Sequence, residues 1–183
     1  MASVREFAER VLLGTSLGDK LAPPPAGLED VERGTPCRVP DVPGRPPGLE
    51  LREDGVRAEF PGVGRIESDE DRGRLLHFFA NHELLATELM ALVLLKFPEA
   101  PREFRAGVLK TLKEEQMHTK LYLRRMEECG VRLGDLPVNG FFWNLVSTME
   151  TPLDYVTRLS LTFEQANLCL LYTSPSPRDL NPN

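Results

Sequence analysis

The stretch REFRAGVLKTLKEEQMHTKLYLRRMEEC, residues 102–129, decides how the rest of the chain is read. Phe104, Val108 and Thr111, then Tyr122 and Met126, recur at the three-or-four spacing of one helix face. The same stripe runs through Glu115 and His118, one turn apart, so both are expected to point inward. The helix should begin at Pro101 or Arg102 and end near Cys129, with Gly130 as its stop. At a rise of about 1.5 Å per residue it is roughly 40 Å long, a length that suits a bundle. A buried carboxylate is costly unless it is paired, protonated or bound to a metal. Glu-x-x-His on such a face fits a helix offering two ligands to one metal pair. It fits a core histidine hydrogen-bonded to its neighbouring carboxylate equally well.

Working outward, Ser68-Asp69-Glu70-Asp71 is a helix start whose acidic residues meet the positive end of the helix dipole. That helix should run to about Phe97, with Pro98 and Pro101 marking the turn. Its inward stripe, Leu76, Phe79, Ala80, Ala86, Thr87, Met90 and Val93, contains Glu83. Folding back near residue 100 brings Glu83 opposite 115–118. Glu88, equally surrounded by apolar residues, stays open as the alternative. Phe141-Phe142-Trp143 belongs to a connecting helix, and Thr151-Pro152-Leu153-Asp154 starts another with Pro at its first position. That last helix should reach Leu168, with Leu153, Thr157, Leu161 and Leu168 sharing a face with Glu164. Three long helices would thus each carry a carboxylate at mid-height on a greasy face. Glu114 lies off the stripe and reads as solvated. His77 and His82 read as packing or surface residues, and Tyr122 as a packed core tyrosine or a hydrogen-bonding group beside a metal. No segment alternates with period two for long enough to make a core strand, so the class is all-α.

Upstream, Ser3-Val4-Arg5-Glu6 is a capping box, opening a short helix to about Leu13 that Gly14 ends. Nine of sixteen prolines lie between Pro23 and Pro61, which forbids regular helix and predicts an extended arm over residues 22–61. Leu49, Leu51, Val56 and Phe60 are its expected anchors. The 183 residues carry 22 Lys+Arg against 28 Asp+Glu, a net charge of −6 that argues against a broad phosphate-binding surface. The basic residues of the 102–129 helix read as a solvated face balanced by Glu103, Glu114, Glu127 and Glu128. Three widely spaced cysteines without Cys-x-x-Cys fit neither a disulfide framework nor a zinc knuckle. No apolar run is expected to be long and uncharged enough to span a bilayer, and no secretory signal is read, so a cytoplasmic setting is expected.

Taken together, HFFANHELLATELMALVLLKFPEAP, TLKEEQMHTKLYLRRM, GDLPVNGFFW and TPLDYVTRLSLTFEQANL resemble an uncharacterised bacterial family of ferritin-like domains. The resemblance implies a four-helix bundle of the dimetal-carboxylate kind, in which two helices each give a Glu and two others Glu-x-x-His. Position by position it implies Glu83, Glu115, His118 and Glu164 as metal ligands, holding two iron or manganese ions. It further implies oxygen-dependent oxidation or hydroxylation, as a di-iron oxidase or hydroxylase, with a small-molecule substrate, an external reductant and a homodimer as partners. One better-characterised branch hydroxylates a modified tRNA base, but nucleic acid is not expected as a partner here. The competing expectation is a ferritin-like helical domain with a structural or binding role and no turnover.

The resemblance departs at Leu168. Residues 169–183, CLLYTSPSPRDLNPN, look like the translation of a sequencing-library adaptor; the alternative is a flexible Ser/Pro tail. The expected organisation is therefore an N-terminal helix and arm (1–67), a helical domain lacking its fourth helix (68–168) and a foreign tail (169–183). Such a bundle would lack two of six ligands, leave one wall open, and be unstable or aggregate unless another chain covered it.

Overall fold

Capping chemistry starts three of the described helices where the sequence says it should. In the computed structural model, which describes residues 2–51 and 66–159, Ser3 and Glu6 form the reciprocal capping box of α1 (Val4–Leu13), and the Gly14 N–H closes it on the Arg10 carbonyl. Ser68 and Asp71 do the same for α3 (Asp69–Lys96). The short α2 (Leu17–Leu21), capped by the Ser16 side chain, intervenes and carries no periodicity that would have foretold it. α4 spans Arg102–Glu128, and Gly130 follows it with a positive φ of 78°. α5 covers Phe141–Val146. A last helix, α6, is helical over 152–159, its start fixed by Asp154, which accepts from the Glu150 and Thr151 N–H groups.

The fold is all-α, with no strand among the described residues beyond a single bridge, Ser3 with Glu29. Only two long helices, α3 and α4, are seen at full length. Val56 and Phe60 of the arm, the expected continuation of the last helix to Leu168 with Glu164, and the whole of 169–183 lie outside the described residues.

α3 and α4 form an antiparallel hairpin around the Pro98–Pro101 turn. From Leu84 to Leu95 α3 is buried on all sides, because α1, α2, α4 and α5 surround it. This corrects the expectation about membrane spans. An 18-residue window of α3 has a mean hydropathy of 1.4 and few charges, enough by length and composition to cross a bilayer, yet 78% of it is buried inside the protein. Its apolarity is that of a core helix.

The arm docks rather than dangles. Leu49 is buried, the Cys37 N–H donates to the Leu95 carbonyl, and the Trp143 indole donates to the Asp41 carbonyl at 2.8 Å. The Arg33 guanidinium reaches the Pro98 and Ala100 carbonyls. Arg105 satisfies the Leu94 and Phe97 carbonyls at the end of α3 while pairing with Asp30 of the arm at 2.6 Å.

The inward face of α4 differs from the expected stripe. Its buried line is Arg105, Val108, Leu112, Gln116, Thr119 and Met126. Glu115 and Tyr122 flank that line half-buried, and His118 lies further round. Three polar residues sit inside because each has a partner there: Arg105 pairs with Asp30 of the arm, the Gln116 amide donates to the Lys20 carbonyl at 2.6 Å, and the Thr119 hydroxyl donates back to a carbonyl of its own helix.

Candidate metal centre

Two helices supply the site. Glu83 comes from the middle of α3, Glu115 and His118 from the middle of α4, and one ligand atom of each lies within 4.8 Å of the others. His118 Nδ1 is 3.1 Å from Glu115 Oε2, a contact in which a carboxylate orients an imidazole. The Glu115 side chain is 15% exposed and that of His118 45%, so the imidazole forms the open rim of the cluster. The expected inward orientation thus holds for Glu115 and needs correction for His118, because α4 turns its 105–119 line, not its 118 edge, toward α3.

The backbone carbonyl of each glutamate accepts a bond from a threonine one turn on. The Thr87 hydroxyl donates to the Glu83 carbonyl at 2.9 Å and the Thr119 hydroxyl to the Glu115 carbonyl at 2.8 Å. Both threonines are fully buried, so the backbone beneath each ligand is anchored.

Electrostatically the pair is unbalanced. No lysine or arginine among the described residues forms an ion pair with Glu83 or Glu115. Burial, and then the hydrogen bond and charge of Glu115, push the Glu83 carboxyl up to about 9, so that in the absence of a cation it keeps its proton. Tyr122 stacks on Phe79 with ring centroids 5.8 Å apart; burial and the two carboxylates raise its phenol. Tyr155 of α6, which the sequence reading did not single out, is 5% exposed and packs edge-on against Phe104. Burial and the Glu115 charge push its phenol upward. Its one sequence signal is a position four residues after the Thr151 cap, on the buried side of α6.

The alternative ligand Glu88 is elsewhere and already occupied. Its oxygens lie 3.2 Å from Lys20 Nζ and 2.8 Å from Arg45 Nη2, and all three side chains are almost wholly buried. Arg45 also donates to the Asn81 side chain at 2.9 Å. A carboxylate held by two buried cations has no coordination left to give. His77 Nε2 accepts from the Gly134 N–H at 3.1 Å, and burial lowers its pKa. His82 packs between Phe78 and Phe142. Both are packing residues. Glu164 lies outside the described residues.

The donor set of two carboxylates and an imidazole is the chemistry that suits iron and manganese, and among the described residues no lysine or arginine pairs with Glu83 or Glu115, which leaves that charge for a metal to balance. On residues present, the site fits.

The family model described as Protein of unknown function (DUF455) matches residues 6–171, and the chain belongs to that family. No curated protein and no solved structure matches it.

Proposed function

We propose that this family member is a ferritin-like dimetal-carboxylate protein, an oxygen-activating oxidoreductase whose metal site is built on Glu83, Glu115 and His118. The observation that carries the reading is the convergence of three ligand atoms from two packed helices within 4.8 Å. Glu83 and Glu115 would hold the metal from opposite helices, and His118 would bind at the open rim while Glu115 keeps its ring oriented. Glu164 is the ligand the sequence register offers from the next helix. A pair of iron or manganese ions there would supply one-electron redox steps and open positions for dioxygen. Around it, the stacked Tyr122–Phe79 pair and buried Tyr155 would exclude water from the carboxylate side, leaving approach to a small-molecule substrate at His118. An external reductant and a cytoplasmic setting complete the proposal; the free thiols Cys37 and Cys129 are in keeping with a reducing compartment.

Metal analysis of the full chain tests this. Anaerobic titration with Fe(II) or Mn(II) should give stoichiometric binding that Glu83→Ala and Glu115→Ala abolish and Glu114→Ala leaves intact. A chain that binds no metal and melts identically with or without it would instead be a helical domain with a structural or binding role.

A further inference from the structure

Between the arm and the start of α4 the described residues enclose a cleft of about 600 Å³, within the range of small-ligand pockets. It lies away from the candidate metal centre. Ala106 in the cleft and Glu115 are nine residues apart, which at 3.6 residues per turn is about 2.5 turns, so they face opposite sides of α4.

Its walls are of two kinds. Val4, Leu28 and Leu109 give an apolar surface. Beside them stand three arginines against two carboxylates, an excess of one positive charge on a chain of net charge −6. One of those carboxylates, Asp30, is neutralised, held by Arg105 at 2.6 and 2.8 Å and by Arg33 Nε at 3.3 Å. Arg33 spends Nη1 on the Pro98 and Ala100 carbonyls, and no described residue accepts from its Nη2. The exposed Arg102 makes no hydrogen bond or ion pair among the described residues. Among the described residues two guanidinium groups thus keep donors free beside an apolar wall, and Glu29 is the lining carboxylate with no cation paired to it.

We propose that this cleft binds a small organic anion, a short apolar chain or ring ending in a carboxylate or phosphate. Arg102 and the free Nη2 of Arg33 take the head, because a guanidinium fork matches both anions. Val4, Leu28 and Leu109 take the tail. Glu29 in the lining disfavours a second anionic group at the tail end of the ligand, which selects singly headed anions.

The proposal is independent of the metal reading, and its test uses the metal-free full chain. Octanoate, octyl phosphate and neutral 1-octanol are titrated by calorimetry against the parent chain, Arg102→Gln and Ala106→Trp, with thermal melts to confirm that both variants fold. Saturable one-to-one binding of either anion, weakened about tenfold or more by Arg102→Gln and abolished by Ala106→Trp, is the expected result; which anion binds tighter names the head group. The proposal is overturned if neither anion saturates below roughly 10 mM, if octanol binds as well as the anions, or if Arg102→Gln binds like the parent.

Discussion

Glu83 and Glu88 sit five residues apart on α3 and live in opposite electrostatic worlds. Glu88 is compensated by Lys20 and Arg45 in a site without water access, and removing one partner of such a cluster strands the others. Glu88→Gln leaves two buried cations facing a neutral amide and should cost about 3–5 kcal/mol in denaturant unfolding. Glu83 faces another carboxylate, Glu115, with no lysine or arginine paired to it among the described residues, so its titration works in reverse. Its folded pKa of about 9 stands above the unfolded value of 4.5. The folded state therefore holds a proton that the unfolded chain gives up, and this stabilisation is complete below pH 4.5 and lost as pH rises towards 9. In metal-free protein the melting temperature should fall across that window, and Glu83→Gln should flatten the slope. A slope unchanged in the variant would show that the carboxyl does not hold its proton as described.

At the scale of elements, the arm behaves as part of the bundle. Gly44 shows why: a Cβ there would collide with the backbone carbonyl of Leu13 at the end of α1, and its own N–H donates to the Leu12 carbonyl at 2.9 Å. Gly44→Ala must push the arm off α1 and should lose about 1–3 kcal/mol, read as a lower denaturation midpoint with an unchanged slope. Much of this level was legible in the sequence. Caps at Ser3, Ser68 and Thr151, and stops at Gly14 and Gly130, are local chemistry, so the ends of α1, α3 and α4 could be written down from a few residues each. The arm's polar clasp could not, because Arg45 meets Glu88 across 43 residues and Arg33 meets Pro98 across 65, and no periodicity encodes such pairs. The same blindness rotated the reading of α4. Arg105 and Gln116 look solvated on a helical wheel, yet each is buried because a distant carbonyl or carboxylate satisfies it, while the buried Thr119 turns its hydroxyl back to the Glu115 carbonyl of its own helix. The approach of Glu83 to Glu115 and His118 was nevertheless legible, since carboxylates in apolar company are anomalous wherever the exact face lies and the helix turn sets their register. Tyr155 escaped because a buried tyrosine is not anomalous.

For the whole molecule, the consequence is that the first 51 residues complete the core. Val4, Phe7, Ala8, Val11 and Leu12 of α1 share one apolar cluster with Leu85, Leu89 and Leu92 of α3. Lys20 and Arg45 neutralise the charge at its edge. Stripped of this segment, α3 would present its most apolar stretch to water together with an unpaired carboxylate, and both changes favour association over folding. A chain beginning at residue 52 should accordingly be insoluble or bind a hydrophobic dye strongly. Supplying residues 1–51 as a separate peptide should restore solubility and a cooperative melt, since the lost contacts are specific and non-covalent. The comparison has a sharp control: Glu88→Leu in the shortened chain removes the charge but not the exposed apolar face, so it should not rescue folding. A shortened chain that stays monomeric and melts like the parent would mean that α3 and α4 carry the stability alone, with the arm a covering rather than a wall.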